Sequence, residues 1–88
     1  MKVTFTERAW SEYIYFQGID KKTLNRINLL IKDIQRSPFD GLGYPEPLKN
    51  DLSGCWSREI DKKNRIIYRI LTNGDVDIIQ CKGHYDDK

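Results

Sequence analysis

Metal-binding and disulfide-forming residues are scarce in this chain: 88 residues include one histidine and two cysteines. Cys55 and Cys81 form no C-x-x-C pair, and a single histidine cannot complete a zinc-ligand spacing, so no metal and no other cofactor is expected. Long apolar runs are also missing. None approaches the roughly 20 residues of a membrane-spanning helix, and the first eight residues lack the apolar centre of a signal peptide. The reading that follows is a cytoplasmic protein without membrane contact, whose thiols stay reduced and buried. Charge of one sign is not in excess either. Fifteen basic and thirteen acidic side chains leave a formal +2, which permits a polyanionic partner without requiring one. Repeats, low-complexity tracts and linkers are absent, and the length suits one domain, 1–88.

What is present is periodicity. Val3 and Phe5 alternate with Lys2, Thr4 and Thr6, the period of a short half-buried strand. Thr6 is placed to cap a helix in which Ala9, Trp10, Tyr13, Ile14 and Phe16 form an apolar stripe, with Gly18 as its stop. Asp20 caps a second helix. Leu24, Ile27, Ile31 and Ile34 repeat there at three- and four-residue spacing, Leu30 widens the stripe, and Ser37-Pro38 ends it. The pair reads as an αα-hairpin whose exposed side carries Lys21, Lys22, Arg26, Lys32 and Arg36 against Asp33, a solvated face or a surface for a phosphate backbone.

Residues 38–51 are rich in proline and glycine and read as irregular but ordered. Tyr44 and Glu46 each precede a proline, which favours extended backbone and fixes the direction of Glu46. Beyond it the period becomes two. Trp56, Arg58 and Ile60 share one face and Cys55, Ser57 and Glu59 the other, before Asp61–Asn64 turns the chain. Arg65, Ile67, Arg69 and Leu71 then alternate with Ile66, Tyr68 and Ile70. Asn73-Gly74 predicts a type I′ hairpin into a strand ending near Cys81, with Val76, Ile78 and Ile79 inward. Strand, two helices, loop and three-strand meander argue an α+β fold, with the helices on one face of a mainly antiparallel sheet.

In a meander the last strand ends beside the start of the middle one. His84 and Tyr85 should therefore reach Arg65, with Arg58 across the sheet and the loop carrying Glu46 and Lys49 closing over that end. Histidine is the side-chain type that changes charge near neutral pH. A carboxylate and an imidazole flanking cationic groups suit metal-independent RNA cleavage, in which a base takes the proton of a ribose 2′-OH, the oxygen attacks phosphorus, and an acid protonates the leaving 5′-oxygen. Taken singly, each residue also fits a plain role: a His-Tyr pair at a strand end, a loop carboxylate, arginines paired with Glu59 or Asp61 on the surface. Only convergence favours a site.

Pro45-Glu46-Pro47-Leu48-Lys49, Leu52-Ser53-Gly54-Cys55-Trp56-Ser57-Arg58, Arg65-Ile66-Ile67-Tyr68 and His84-Tyr85 resemble the YoeB/Txe toxins of bacterial toxin–antitoxin modules, within the RelE-like superfamily. The similarity extends through Trp10-Ser11-Glu12-Tyr13 and residues 31–39. It implies a microbial-ribonuclease-like fold and a ribosome-dependent endoribonuclease that cuts mRNA in the A site of the 70S ribosome. It also implies a cognate antitoxin of the YefM/Axe kind and admits a homodimer. Carried onto this sequence, the family roles are Glu46 as general base, Arg65 as phosphate and transition-state stabiliser, and His84 as general acid. Tyr85 joins them in the catalytic set, and Lys49 and Arg58 are implied RNA contacts.

The sequence departs from the family at three places. Glu59 stands where relatives often carry a basic residue, a change expected to weaken phosphate contact or to draw Arg65 or Lys49 into a salt bridge. Asn64 stands where many have histidine. Asp86-Asp87-Lys88 runs past the aromatic pair and adds acids near a phosphate site. Two other functional readings stay open: a non-catalytic toxin of the same fold, ParE-like or occluding the ribosome, and a ribonuclease that needs no ribosome.

Overall fold

Thr6 sets where the first helix begins. Its hydroxyl accepts the Ala9 N–H at 3.1 Å, satisfying a donor that has no partner within the helix. In the computed structural model, which describes residues 1–84, the elements are β1 (Val3–Phe5), α1 (Glu7–Ile19), α2 (Lys21–Arg36), β2 (Glu46–Pro47), β3 (Trp56–Glu59), β4 (Arg65–Ile70) and β5 (Val76–Gln80), with a single 3₁₀ turn at Asn50–Leu52. Asp20 alone joins the helices. Its carboxylate accepts both the Thr23 N–H and hydroxyl, at 3.0 and 2.7 Å, as α2 starts. The expected stop at Gly18 is corrected: α1 runs through it to Ile19, because a glycine with helical backbone angles weakens a helix without ending it.

The five strands form one sheet in the order β1-β5-β4-β3-β2. β1 lies parallel to β5 and the remaining neighbours are antiparallel. Both helices cover one face. Ala9, Phe16, Leu24, Ile27, Leu30 and Ile34 meet Ile60, Ile66, Tyr68, Val76, Ile78 and Cys81 there. On the opposite face Leu48, Cys55 and Ile67 form a smaller cluster, with Leu52 and Ile79 against it. Ile79 thus packs on the far side from Val76 and Ile78, next to a register shift between β4 and β5. The stripe of α1 is only partly core: Trp10 and Ile14 keep about half their surface, 51% and 44%, while Trp10 stacks with Tyr13 and meets the edge of Phe5.

Three local expectations change. Glu46 and Pro47 make a two-residue strand against Ser57 and Trp56, where a sheet edge tolerates a proline that cannot donate. Tyr44 is not extended but takes φ +54°. At the β4–β5 hairpin Asn73 keeps negative φ while Gly74 takes +91°. The Gly74 N–H bonds the Leu71 carbonyl at 2.8 Å, so the turn is not type I′, which needs positive φ at both central residues. Among the described residues no helix is long and apolar enough to cross a membrane.

Candidate active site

The pairing of β2, β3 and β4 brings four side chains onto the face of the sheet that the helices leave open. Glu46 lies opposite Ser57, and Glu59 opposite Arg65. Arg65 donates through Nε and Nη2 to the Ser57 hydroxyl at 3.3 and 3.1 Å. Its Nη2 also reaches Glu46 Oε1 at 3.3 Å, and Nη1 stands 4.0 Å from Glu59 Oε1. The salt bridge foreseen for Glu59 is therefore formed, with Arg65. Both carboxylates are open to water, with side chains 52% and 44% exposed. Such pairs contribute about 1 kcal/mol or less, so a phosphate that offers bidentate oxygens can compete for the guanidinium.

The other half of the site arrives on the segment after β5. There Arg65 N–H donates to the Gly83 carbonyl at 3.0 Å, and Gly83 N–H donates to the Asn64 side-chain oxygen at 2.8 Å. Gly83 takes φ +80°, a conformation that costs glycine little and other residues more. Gln80 Nε2 donates to the Lys82 and His84 carbonyls at 3.3 and 3.1 Å. His84 is exposed, with Nε2 3.0 Å from the Lys62 carbonyl. A carbonyl only accepts, so this contact places the ring proton on Nε2. The segment bearing His84 thus lies against the backbone of Arg65, while its imidazole faces the β3–β4 turn. Lys49 is exposed three residues beyond Glu46, at the start of the 3₁₀ turn. Tyr85 and the Asp86-Asp87-Lys88 tail lie outside the described residues.

Arg58 is not brought to this face. Alternation along β3 turns it toward the helices, where it is fully buried. Its Nη1 meets Asp33 Oδ2 at 2.6 Å and the Leu42 carbonyl at 3.2 Å. Nη2 donates to the Ser37 and Asp40 carbonyls at 2.5 and 3.1 Å, and Nε to the Tyr68 hydroxyl at 3.2 Å. The Tyr68 hydroxyl in turn donates to the Pro38 carbonyl at 2.6 Å. All of these partners are protein groups, and together they pin residues 37–42 to the sheet. Asp33 likewise leaves the basic face of α2 to serve this network. Burial pushes the Tyr68 phenol up, against the opposing pull of Arg58.

Both thiols are free and buried, and burial pushes Cys81 up to about 12. The sequence alone marks no site role for three residues here. Ser57 was legible in part, since alternation already set it beside Glu59. Gln80 and the acceptor role of Asn64 depend on where the chain goes after β5, which has no local signature.

Residues 5–85 match the family described as YoeB-like toxin of bacterial type II toxin–antitoxin system. A toxin YoeB of Synechocystis is 56% identical over 85 residues, covering 97% of this chain and 98% of its own. Among solved structures, a YoeB/ParE toxin from Agrobacterium tumefaciens superposes with a TM-score of 0.94 at 42% identity, covering 97% of this chain and all of that one. The toxin in a heterotetrameric YoeB–YefM toxin–antitoxin complex from Staphylococcus aureus gives a TM-score of 0.88 at 41% identity, over 97% and 98% of the two chains. With the family match spanning nearly the whole length and the likeness holding in both sequence and structure, the chain belongs to the YoeB-like toxins of bacterial type II toxin–antitoxin systems.

Proposed function

We propose that this toxin is an endoribonuclease that cuts mRNA in the A site of the 70S ribosome, in the cytoplasm, without a metal or cofactor. The observation that carries the reading is Arg65, whose guanidinium meets the Glu46 carboxylate at 3.3 Å and whose backbone N–H holds the peptide before His84. A scissile phosphate that displaces the carboxylates from Arg65 would lie between a base and an acid. Glu46 then takes the 2′-OH proton, and the 2′-oxygen attacks phosphorus. Arg65 stabilises the charge on the phosphorane, and His84, turning away from the Lys62 carbonyl, protonates the leaving 5′-oxygen. Breaking the P–O5′ bond leaves a 2′,3′-cyclic phosphate and a 5′-hydroxyl. Tyr85 and Lys49 support the phosphate, whereas Arg58 acts from within the fold. An antitoxin of the YefM kind neutralises the toxin, as the composition of the staphylococcal complex suggests, and self-association into a homodimer accompanies this reading.

The test is a defined mRNA incubated with and without programmed ribosomes, followed by mapping of the cut ends. Cuts that need the ribosome and end in a 2′,3′-cyclic or 3′-phosphate are expected. Glu46→Ala or His84→Ala should lower cleavage at least about a hundredfold, the scale of a lost general acid or base, while antitoxin binding persists. Cuts ending in a 3′-hydroxyl would refute attack by the 2′-OH. Arrest of translation without any cut would establish a non-catalytic toxin instead.

A further inference from the structure

The geometry points to Asn64, braced by Asp61, as a positioning residue for His84; this inference rests on the ribonuclease reading of the site. Asn64 uses both ends of its amide. Its Nδ2 lies 3.1 and 3.2 Å from the two Asp61 oxygens, and its Oδ1 accepts the Gly83 N–H at 2.8 Å. A carboxylate only accepts and a peptide N–H only donates, so the neighbours fix which way the amide points. Asp61 is itself held, its Oδ1 accepting the Lys63 and Asn64 backbone N–H groups at 2.8 Å each.

The consequence is a peptide gripped on both sides. Gly83 has its N–H bound by the side chain of residue 64 and its carbonyl by the backbone of residue 65. His84 follows directly, so the origin of the imidazole is set relative to Arg65, the group that must share its phosphate. Gln80 restrains the next carbonyl. None of these bonds lies within the main hydrophobic cluster, so breaking one releases the segment without opening the fold. A general acid gains from being held: a displacement of about 1 Å can cost a hundredfold in rate.

Three variants test the latch: Asn64→Ala, Asn64→Asp, and Asn64→Asp combined with Asp61→Asn. In the first the acceptor is gone. In the second a carboxylate faces the Asp61 carboxylate. In the third the roles are exchanged, with residue 64 accepting from both the Gly83 N–H and the new amide at 61, and net charge is conserved.

Asn64→Ala is expected to speed hydrogen exchange of the Gly83 amide about five- to tenfold, the scale of one hydrogen bond. It should lower kcat for ribosome-dependent cleavage by roughly tenfold to a hundredfold with KM nearly unchanged. Asn64→Asp should behave likewise, and the exchanged pair should recover both slow exchange and kcat. An unchanged kcat in Asn64→Ala, or a pair that recovers neither, would overturn the inference. Should the wild-type protein make no cuts on ribosomes, the ribonuclease reading fails by itself. The Gly83 exchange rates of the three variants then decide the latch alone.

Discussion

A guanidinium taken out of water costs several kcal/mol unless every N–H finds an acceptor, and Arg58 is placed where α2, the loop after it and Tyr68 supply those acceptors. Removing the side chain leaves Asp33 without its shortest ion pair, at 2.6 Å, and strips three backbone carbonyls of a donor. Arg58→Ala should therefore lower unfolding free energy by about 3–5 kcal/mol, read by urea denaturation, and any loss of toxicity should follow stability. Asp33 carries a pH signature of the same network. The Leu42 backbone N–H, aided by Arg36 and Arg58, holds its carboxyl at about 2, below the usual 3.8. The folded state thus favours the ionised form. Its contribution, about 2 kcal/mol, is complete above pH ~4 and fades as pH falls through about 2. Asp33→Asn should flatten that stretch of a stability–pH profile. The sequence held half of this: alternation put Arg58 on the side of Trp56 and Ile60, an inward face. Nothing local announces an aspartate 25 residues earlier as its partner, and the family resemblance implied an RNA contact instead.

Elements were legible where local chemistry agrees with the packing. Thr6 and Asp20 have the side chains that cap helices, and α2 repeats its apolar residues at the spacing that one buried face demands. β2 was not legible, because Glu46 and Pro47, directly after Pro45, are too few to carry a period. That strand exists through β3, whose edge supplies the partners. Gly43 shows the same dependence. Its carbonyl accepts the Glu59 N–H at 2.6 Å, and at φ +78° a Cβ there would meet the Glu59 carbonyl at 2.9 Å, so the loop passes too close to β3 for a side chain. Gly18 is the contrasting case. It sits inside α1 with nothing within 4 Å of a Cβ and without positive φ. Gly18→Ala is expected to raise stability by about 0.5–1 kcal/mol, measured as a higher urea midpoint at unchanged slope. A lower midpoint would show that the position serves as a helix stop after all.

At the scale of the whole molecule, the α+β class followed from the order of periods, while the sheet's far edge did not. A three-residue strand states that it pairs, not with what. β1 joins β5 through Val76 N–H to the Lys2 carbonyl and Thr6 N–H to the Ile78 carbonyl, both at 2.9 Å, and the Thr6 hydroxyl donates to Ile79 at 2.9 Å. β5 is thereby internal to the sheet, flanked by β1 and β4, and it is the strand from which the His84 segment emerges. Glu12 on α1 adds a further tie by accepting the Cys81 N–H at 2.8 Å. The N-terminus therefore braces the strand that delivers half of the site, from 73 residues away in sequence where Thr6 meets Ile79. Deleting residues 1–5 would remove Phe5 from its contacts with Trp10 and Tyr13 and turn β5 into an edge over buried Val76 and Ile78. An 88-residue chain has little stability to spare for such a loss. The truncated protein is expected to lose its sharp thermal transition by circular dichroism. A cooperative transition that persists would mean that β4, β5 and the helices hold the sheet without β1.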